Sequence, residues 1–537
     1  MTSATAPNEA ASSARSGVRL ADRVAPSIPA TFFIVLATMA PFAAQRRILN
    51  GDGDLARHLR HGLYMLQHHT LIWYDPFSFS RPGQPFVPFE YGSQLIYTAV
   101  YQISGLAGVT IFAGLLIGTV YALVARFLLR RGVDPLLVLF TTGAAAILGS
   151  LHWLARPHLI SWLAIVLLFG VIERNRRPKL WIYPIFFAVW ANLHGGWLYG
   201  IALLGIYLVG HMVEYRFFGR RPEELSSVRH FALALPLAVV ATLATPMGLE
   251  LWRHLFVHLG DSYVLNHTAE FASPDFHTVF DKLLLLLLIG PLALLILSRR
   301  RMHAARFLLV LAGVWWSLTA QRNLALFGLT GLTLVALHLD PEWRKIPGEW
   351  LARRREGFAA GAAHANTAGW ISCCCAALIL LAAGRGNLFG EQLIGDSFDA
   401  KIFPVDAVRQ ARAVGLHDRT LADFIWGGYI LYAWPEQKVF IDGGTDFYGT
   451  TVMRAYNEIS SLQPGWRDLL GEYGINAVLT DSHGRLAHEL VRTPGWSIWY
   501  CDSVAVLLRK HHRQLTGTSA AREQKLTNCA GPKPALD

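Results

Sequence analysis

The sequence predicts a polytopic α-helical membrane protein that carries a small α/β domain at its C-terminal end. Three observations predict it. Of 537 residues, 53% are hydrophobic and only 16% are charged, against about 25% charged in soluble globular domains. Apolar runs long enough to cross a bilayer recur along residues 28–385, where a span takes about 20 such residues. Beyond residue 385 the chain mixes charged, aromatic and strand-like stretches, the pattern of a water-exposed domain.

The apolar runs lie near 28–45, 105–129, 135–154, 157–173, 180–194, 196–214, 229–246, 280–298, 303–320, 323–339 and 368–385, which predicts about eleven transmembrane helices. The run at 91–103 is too short to cross alone and reads as a helix lying at or dipping into the membrane. Basic residues orient the spans. With the tail 1–27 and its Arg15, Arg19 and Arg23 taken as cytoplasmic, the segments on that side hold 23 Arg and Lys, and the opposite loops hold 9. That asymmetry puts the N-terminus inside and the domain at 386–510 outside. A cleaved signal peptide over 1–44 is the competing reading of the first run, and it leaves the same segments outside. The net charge of +11 sits in short clusters between apolar runs, so topology accounts for it and nucleic acid is not expected as a partner. Cys373, Cys374 and Cys375 lie inside an apolar run, and Cys501 and Cys529 stand isolated, so no disulfide framework is expected.

On this topology the unusual polar clusters fall on the outer side. They are Asn50-Gly51-Asp52-Gly53-Asp54 with His58, Glu90, Arg156-Pro157-His158, Asn192-Leu193-His194-Gly195-Gly196, Thr245-Pro246, Glu270 through Asp275, and Gln321-Arg322-Asn323. Ionisable groups near membrane depth are costly and tend to face a cavity, so clusters at the mouths of separate helices predict one shared outward-facing site. The first outer loop, 45–90, is long for a bundle connection. Within it Leu55, Leu59, Leu63 and Leu66 recur at helical spacing, with Arg57, His58, Arg60 and His61 between them, which reads as an amphipathic interfacial helix. Asp52 and Asp54 stand at its start, where a carboxylate suits the helix dipole; an N-cap role explains one aspartate more easily than two.

These residues resemble a known family. The Asp-x-Asp at the start of the first outer loop, the juxtamembrane helix, Asp75-Pro76-Phe77-Ser78-Phe79 and Glu90 look like the GT-C superfamily of membrane glycosyltransferases. Its bacterial branch of dolichyl-phosphate-mannose protein mannosyltransferase-like proteins is the nearest in pattern. Ala155-Arg156-Pro157-His158, the Asn192 motif and Gln321-Arg322-Asn323 are similar to motifs of large, mostly uncharacterised members. The likeness covers roughly residues 30–340; Tyr91 follows Glu90 where the family usually has Trp. The resemblance implies transfer of a sugar from a polyprenyl-phosphate donor to an acceptor hydroxyl, on the extracytoplasmic face of a bacterial inner membrane, with inversion. Asp52 or Asp54 would take the hydroxyl proton. Arg156 and Arg322, with His158 and His194 behind them, would meet the charge of the leaving phosphate. Glu90, His58 and Glu270 complete the candidate substrate-binding set. The partners expected are the lipid-linked sugar, membrane lipids and an acceptor that is glycan, lipid or protein.

No cofactor is required by this chemistry, although Asp52-x-Asp54 also suits a divalent cation through oxygen ligands. His254 and His258 stand four apart without a third zinc ligand in register. In the C-terminal domain, 438–442, 476–480 and 504–508 read as strands, and 404–414 and 451–460 as helices. Trp426-Gly427-Gly428-Tyr429 and Asp442-Gly443-Gly444-Thr445-Asp446-Phe447-Tyr448 read as glycine turns with buried aromatics, or as a sugar- or acceptor-binding surface. Residues 511–537 are polar and expected to lack order. Three readings compete with the transferase: a lipid-linked sugar flippase, which predicts an internal repeat that is not apparent; an inactive GT-C-fold envelope assembly protein; and an oligosaccharyltransferase.

Overall fold

The computed structural model describes residues 26–175, 177–364, 367–511 and 518–532. The predicted cytoplasmic tail up to residue 25, with Arg15, Arg19 and Arg23, lies outside the described residues, as does Arg176.

Every predicted apolar run is helical. In chain order the bundle is α1 Ile28–Phe42, α2 Gln45–Asn50, α3 Asp54–His68, α4 Tyr91–Arg130, α5 Pro135–Ser150, α6 His158–Asn175, α7 Ile182–Ala191, α8 Trp197–Phe217, α9 Pro222–Ala241, α10 Leu249–Gly260, α11 Ser262–His267, α12 Val279–Leu297, α13 Ala304–Thr319, α14 Gln321–Trp343, α15 Glu349–His364 and α16 Thr367–Ala383. Among the described residues, five of these are long and apolar enough to cross a membrane: α4, α8, α9, α12 and α14. Of the other six predicted spans, α6 is as long as its predicted run and the remaining five are shorter. The largest shortfall is α7, whose 10 residues reach only about 15 Å at about 1.5 Å per residue. It stops because Asn192-Leu193-His194-Gly195-Gly196 leaves the helix in a turn before α8.

Local chemistry sets the helix ends. Ser27 caps α1 through the Ala30 amide, and Asp134 caps α5 through the Leu136 and Leu137 amides, each with proline in the first turn. The short run at 91–103 is continuous with the span at 105–129 except at Gly105, where φ is 63° and ψ −164°. That backbone favours glycine, and the Asp396 carboxylate sits where a Cβ would project. Asp396 then accepts from the Ala107 amide at 3.1 Å and caps the second half of α4. The two halves are therefore separate helices, as the run lengths implied. The second half packs on α1 through Gly114 and Gly118, whose missing Cβ atoms would lie 2.6 Å from the Ala37 carbonyl and 2.7 Å from the Phe33 carbonyl. This is the close backbone approach of small-xxx-small packing.

The C-terminal domain follows a hairpin, β1 Asn387–Leu388 with β2 Glu391–Gln392. It then runs α17 Val405–Ala413, β3 Thr420–Ala422, α18 Phe424–Ala433, α19 Thr445–Ser460, α20 Trp466–Glu472, β4 Ala477–Asp481, α21 Arg485–Arg492, β5 Trp496–Cys501, β6 Ala505–Lys510 and α22 Ser519–Ala530. The sheet order is β3-β4-β6-β5, with β3 parallel to β4 and the other pairs antiparallel.

Four expectations are corrected here. Residues 438–442 form no strand; only Val439 pairs, bridging Ser78 of the first outer loop and Thr420 of β3. Trp426-Gly427-Gly428-Tyr429 is helical, inside α18, because both glycines face backbone: a Cβ would lie 2.1 Å from the Ile441 carbonyl at one and 2.2 Å from the Gly53 carbonyl at the other. Residues 519–530, expected to lack order, form α22, which buries Leu526. Cys501 and Cys529, read as isolated, form a disulfide that joins β5 to α22 across 28 residues of sequence; the helix that spacing alone did not reveal brings them together. Residues 512–517 and 533–537 lie outside the described residues.

Gly114→Leu is expected to lower the thermal midpoint of the detergent-purified protein by several degrees, the effect of about 1–3 kcal/mol of overpacking. Gly143→Ala, where a Cβ meets nothing within 4 Å, should leave it unchanged.

Candidate active site

The segment 45–90 is held from both sides. The α3 helix packs against the first half of α4, where Gly62 lies against Thr98 and the Gln94 carbonyl, and against α18 of the C-terminal domain, where Gly428 meets Arg57. Its polar residues are consequently buried, not exposed on an interfacial face as the leucine spacing suggested: Arg57, His58 and His61 are 6%, 1% and 2% exposed. Asp75, in the family-like Asp-Pro-Phe-Ser-Phe segment, accepts from the Phe77 and Ser78 amides and the Ser78 hydroxyl. It shapes a buried turn, and the same segment pairs with Val439.

Above this frame the outer polar clusters meet. Arg156 is the centre. Its Nη1 lies 3.1 Å from Asp52 Oδ2 and 3.2 Å from Glu270 Oε2, and its Nη2 pairs with Asp54 Oδ2. Glu270 Oε1 in turn lies 3.3 Å from Arg322 Nη1, whose guanidinium also stacks on Phe271. Behind Asp54, Arg57 stands 3.7 Å from Asp54 Oδ1, 4.0 Å from Glu90 Oε2 and 3.9 Å from Asp442 Oδ1. Glu90 is completed by His58 Nδ1 at 3.8 Å and His194 Nε2 at 3.5 Å.

Among the sequence candidates, Asp52, Asp54, Arg156, Glu270, Arg322, Glu90, His58 and His194 thus form one connected cluster. His158 stands apart from it: its Nε2 donates to the His152 carbonyl at 2.8 Å and its ring packs on Trp162. Thr245 is a turn residue that accepts from the Gly248 amide, and Asp275 faces solvent beside His277. Arg57 was not among the sequence candidates, and Asp442 and Asp446 stood only within a segment read as glycine turns or a sugar- or acceptor-binding surface; Asp446 accepts from His254 at 3.0 Å. Arg57 follows Asp54 by one helical turn, a signal present in the sequence. Asp442 and Asp446 become neighbours of the site only through the packing of the C-terminal domain.

The cluster has an open side and a closed side. The side chains of Asp52, Arg156, Glu270 and Arg322 are 20–32% exposed; those of Asp54, Arg57, Glu90 and Asp442 are 5–12% exposed. Burial pushes Asp52 up to about 6 although Arg156 opposes it, and pushes Glu90 up to about 7 and Asp442 to about 6 against the pull of Arg57. Burial would raise Glu270 too, but Arg322 and Arg156 together hold it well below the usual carboxylate range. His194 is kept neutral, near 3, by burial and by the two arginines. The Gly196 amide donates to its Nδ1 at 2.9 Å, so its proton sits on Nε2, facing Glu90.

The carboxylates of Asp52, Asp54 and Glu270 are the hard oxygen donors that a divalent cation would use, and here one guanidinium bridges all three. His254 is engaged by Asp446 rather than aligned with His258. Among the described residues, one further group has metal-like spacing: His211, Glu224 and His303, at the other end of the bundle. The Ala305 amide donates to His303 Nδ1, which leaves that ring's proton on the Nε2 that faces Glu224 at 3.4 Å. This is the arrangement of a hydrogen-bonded ion cluster, not of a metal ligand.

No protein-family profile matches the chain, and no curated protein matches it by sequence. Solved structures match it in shape. The apo oligosaccharyltransferase of Archaeoglobus fulgidus aligns with a TM-score of 0.53 over 90% of this chain and 74% of that one, at 13% identity. The oligosaccharyltransferase AglB of the same organism, in complex with an inhibitory peptide and a dolichol-phosphate, aligns at 0.52 over 88% and 72%, at 12% identity. The chain has the GT-C fold. ArnT from Cupriavidus metallidurans bound to undecaprenyl phosphate also aligns, with a TM-score of 0.49 over 89% of this chain and 97% of that one, at 14% identity. The bundle and the C-terminal domain share one apolar core reaching from Ile28 to Leu507, so the domain is packed into the bundle end that carries the cluster.

Arg57→Leu is expected to cost about 3–5 kcal/mol, because it leaves the buried Glu90 and Asp442 without their arginine and leaves Asp54 with Arg156 alone. Asp442→Asn should cost less, since the amide keeps its contacts with the Gly444 amide and Tyr448. Thermal unfolding of the purified variants at pH 7.5 checks the order.

Proposed function

We propose that this protein is a membrane glycosyltransferase that moves a sugar from a polyprenyl-phosphate donor to an acceptor hydroxyl, with Asp52 as the general base. The observation that carries the reading is the open side of the cluster: one accessible carboxylate of raised pKa, Asp52, beside Arg156, which Glu270 links to a second arginine, Arg322, at the bundle end covered by the C-terminal domain. The archaeal protein of the same fold that holds a dolichol-phosphate supports the class of donor.

In the reaction proposed, the acceptor oxygen attacks the anomeric carbon and Asp52 takes its proton. The bond between that carbon and the phosphate oxygen breaks on the opposite face, which inverts the centre. The polyprenyl phosphate leaves with the electron pair, and Arg322 and Arg156 meet its added charge. A base works best when its pKa lies near the operating pH, which Asp52 at about 6 satisfies. Asp54 is the less suitable base: its side chain is 9% exposed and held between Arg156 and Arg57. Its role is to fix Arg156. The neutral His194 and Glu90 hold the cluster from behind.

The same reading sets the compartment. Nucleotide sugars are not supplied outside the cytoplasm, so the donor arrives on a lipid. We place the site and the C-terminal domain on the extracytoplasmic face of a bacterial inner membrane, with the N-terminus inside. Basic-residue asymmetry supports this orientation, as does the Cys501–Cys529 disulfide, a feature of oxidising compartments. Arg156 supplies the counter-charge that a divalent metal would otherwise bring to Asp52 and Asp54, so transfer should persist in chelator.

Purified protein is expected to transfer radiolabelled sugar from at least one member of a polyprenyl-phosphate-sugar panel, with or without EDTA. Asp52→Asn should lower kcat about 10²–10⁴-fold, and Asp54→Asn should act mainly by weakening the fold. Because Asp52 accepts a proton only when ionised, kcat/KM should rise about tenfold per pH unit below pH 6 and level off above it. Folded protein that turns over no donor would move the reading to a flippase or an inactive scaffold. Loss of activity in EDTA would replace Arg156 with a metal as the counter-charge.

A further inference from the structure

Among the arginines at the bundle end opposite the cluster, four that pair with a carboxylate contrast with four that line one groove. Arg301, Arg306, Arg344 and Arg355 each pair with a carboxylate: Glu214, Glu173, Asp340 and Asp134. Arg126 and Arg130 of α4, Arg131 just after it and Arg174 of α6 have no carboxylate partner among the described residues; Arg131 donates to the Glu173 carbonyl at 3.1 Å. The rule that places basic residues on the cytoplasmic side explains why all eight lie at this end. It does not explain why four of them surround a groove.

That groove holds about 600 Å³ and runs between α4 and α6. Its mouth is formed by the four unpaired arginines. Its walls are apolar, from Val124 and Phe127 on one side to Val166 and Val171 on the other, and its floor is Leu329, within the π-helical turn Phe327–Gly331 of α14. Arg126 lies 21 residues beyond Gly105, about 32 Å along the helix at about 1.5 Å per residue. That is about one hydrocarbon thickness, the level of lipid phosphates. Gly170 lines the same groove, and a Cβ there would meet no protein atom within 4 Å. The space beside it is therefore not filled by a neighbouring helix.

We propose that this groove is a binding site for an anionic phospholipid of the cytoplasmic leaflet, with an acyl chain between α4 and α6 and the phosphate among Arg126, Arg130, Arg131 and Arg174. Charge complementarity selects the occupant: four cations without counter-ions face an apolar slot that opens at headgroup depth. A zwitterionic headgroup would bring its own ammonium into a cluster that is already cationic. The site is distinct from the donor site proposed above, which lies at the other end of the bundle, and it does not depend on the transferase reading.

Native mass spectrometry of the full chain, delipidated in detergent and then titrated with phosphatidylglycerol, phosphatidylcholine or undecaprenyl phosphate, tests the proposal. Wild type should retain phosphatidylglycerol at least tenfold more strongly than phosphatidylcholine. Arg126→Gln/Arg174→Gln should remove most of that preference. Gly170→Leu keeps every charge and improves helix propensity, yet should expel the lipid by filling the groove. Circular dichroism and gel filtration confirm that both variants remain folded. Equal retention of the two phospholipids, or retention unchanged in either variant, would overturn the proposal. Stronger retention of undecaprenyl phosphate than of phosphatidylglycerol, lost in both variants, would also overturn it and make the groove a carrier-lipid site.

Discussion

The arrangement of the candidate site depends on one half-buried guanidinium. Arg156 touches Asp52 and Asp54 from the first outer loop and Glu270 from the segment before α12. Each carboxylate alone would be unfavourable at that depth, because taking an ion out of water costs several kcal/mol even after relaxation. Together with Arg322 and Arg57, the cations make the acidic side chains tolerable and fix where each one points. The backbone around Arg156 is tied in the same way: its carbonyl accepts from Tyr97 at 2.9 Å, and the Ala155 amide donates to the Ile48 carbonyl at 2.9 Å. One side chain therefore sets the register of three stretches of chain that no sheet or long helix joins.

The C-terminal domain belongs to this arrangement rather than standing beside it. Its Asp442-Gly443-Gly444 segment reaches Asp54 and Arg57, and Gly443 comes so close that a Cβ would overlap the Asp54 carboxylate. The glycines of α18 allow the same intimacy with Gly53. Glycine pairs that look like turns in the sequence are here places where two backbones approach each other.

Much of the bundle was legible because lipid imposes a simple code: long apolar runs become helices. Candidate residues such as Asp52, Asp54, Arg156 and Arg322 were legible because ionisable groups at helix mouths are rare enough to stand out. What escaped was what depends on the partner surface. The leucine spacing of α3 correctly gave a helix, but its burial on both faces comes from α18, hundreds of residues away. Val439 and its neighbours have strand-like composition, yet Val439 pairs with single residues of two different segments and no ladder forms. Cys501 and Cys529 looked unpaired because the helix that carries Cys529 has a polar sequence with few apolar anchors, of which Leu526 is the buried one.

The break at Gly105 has a consequence for how the protein is made. The second half of α4 begins against Asp396, a residue 289 positions further along the chain from Ala107, whose amide it accepts. Ribosomal synthesis runs in one direction, so this early membrane helix enters the bilayer with its first turn uncapped. It keeps that end open while more than half the protein is still being translated. The same holds for Asp54, which waits for Gly443. The site is thus among the last parts of the molecule to close, and a chain truncated within the C-terminal domain would insert its helices and still lack an assembled site.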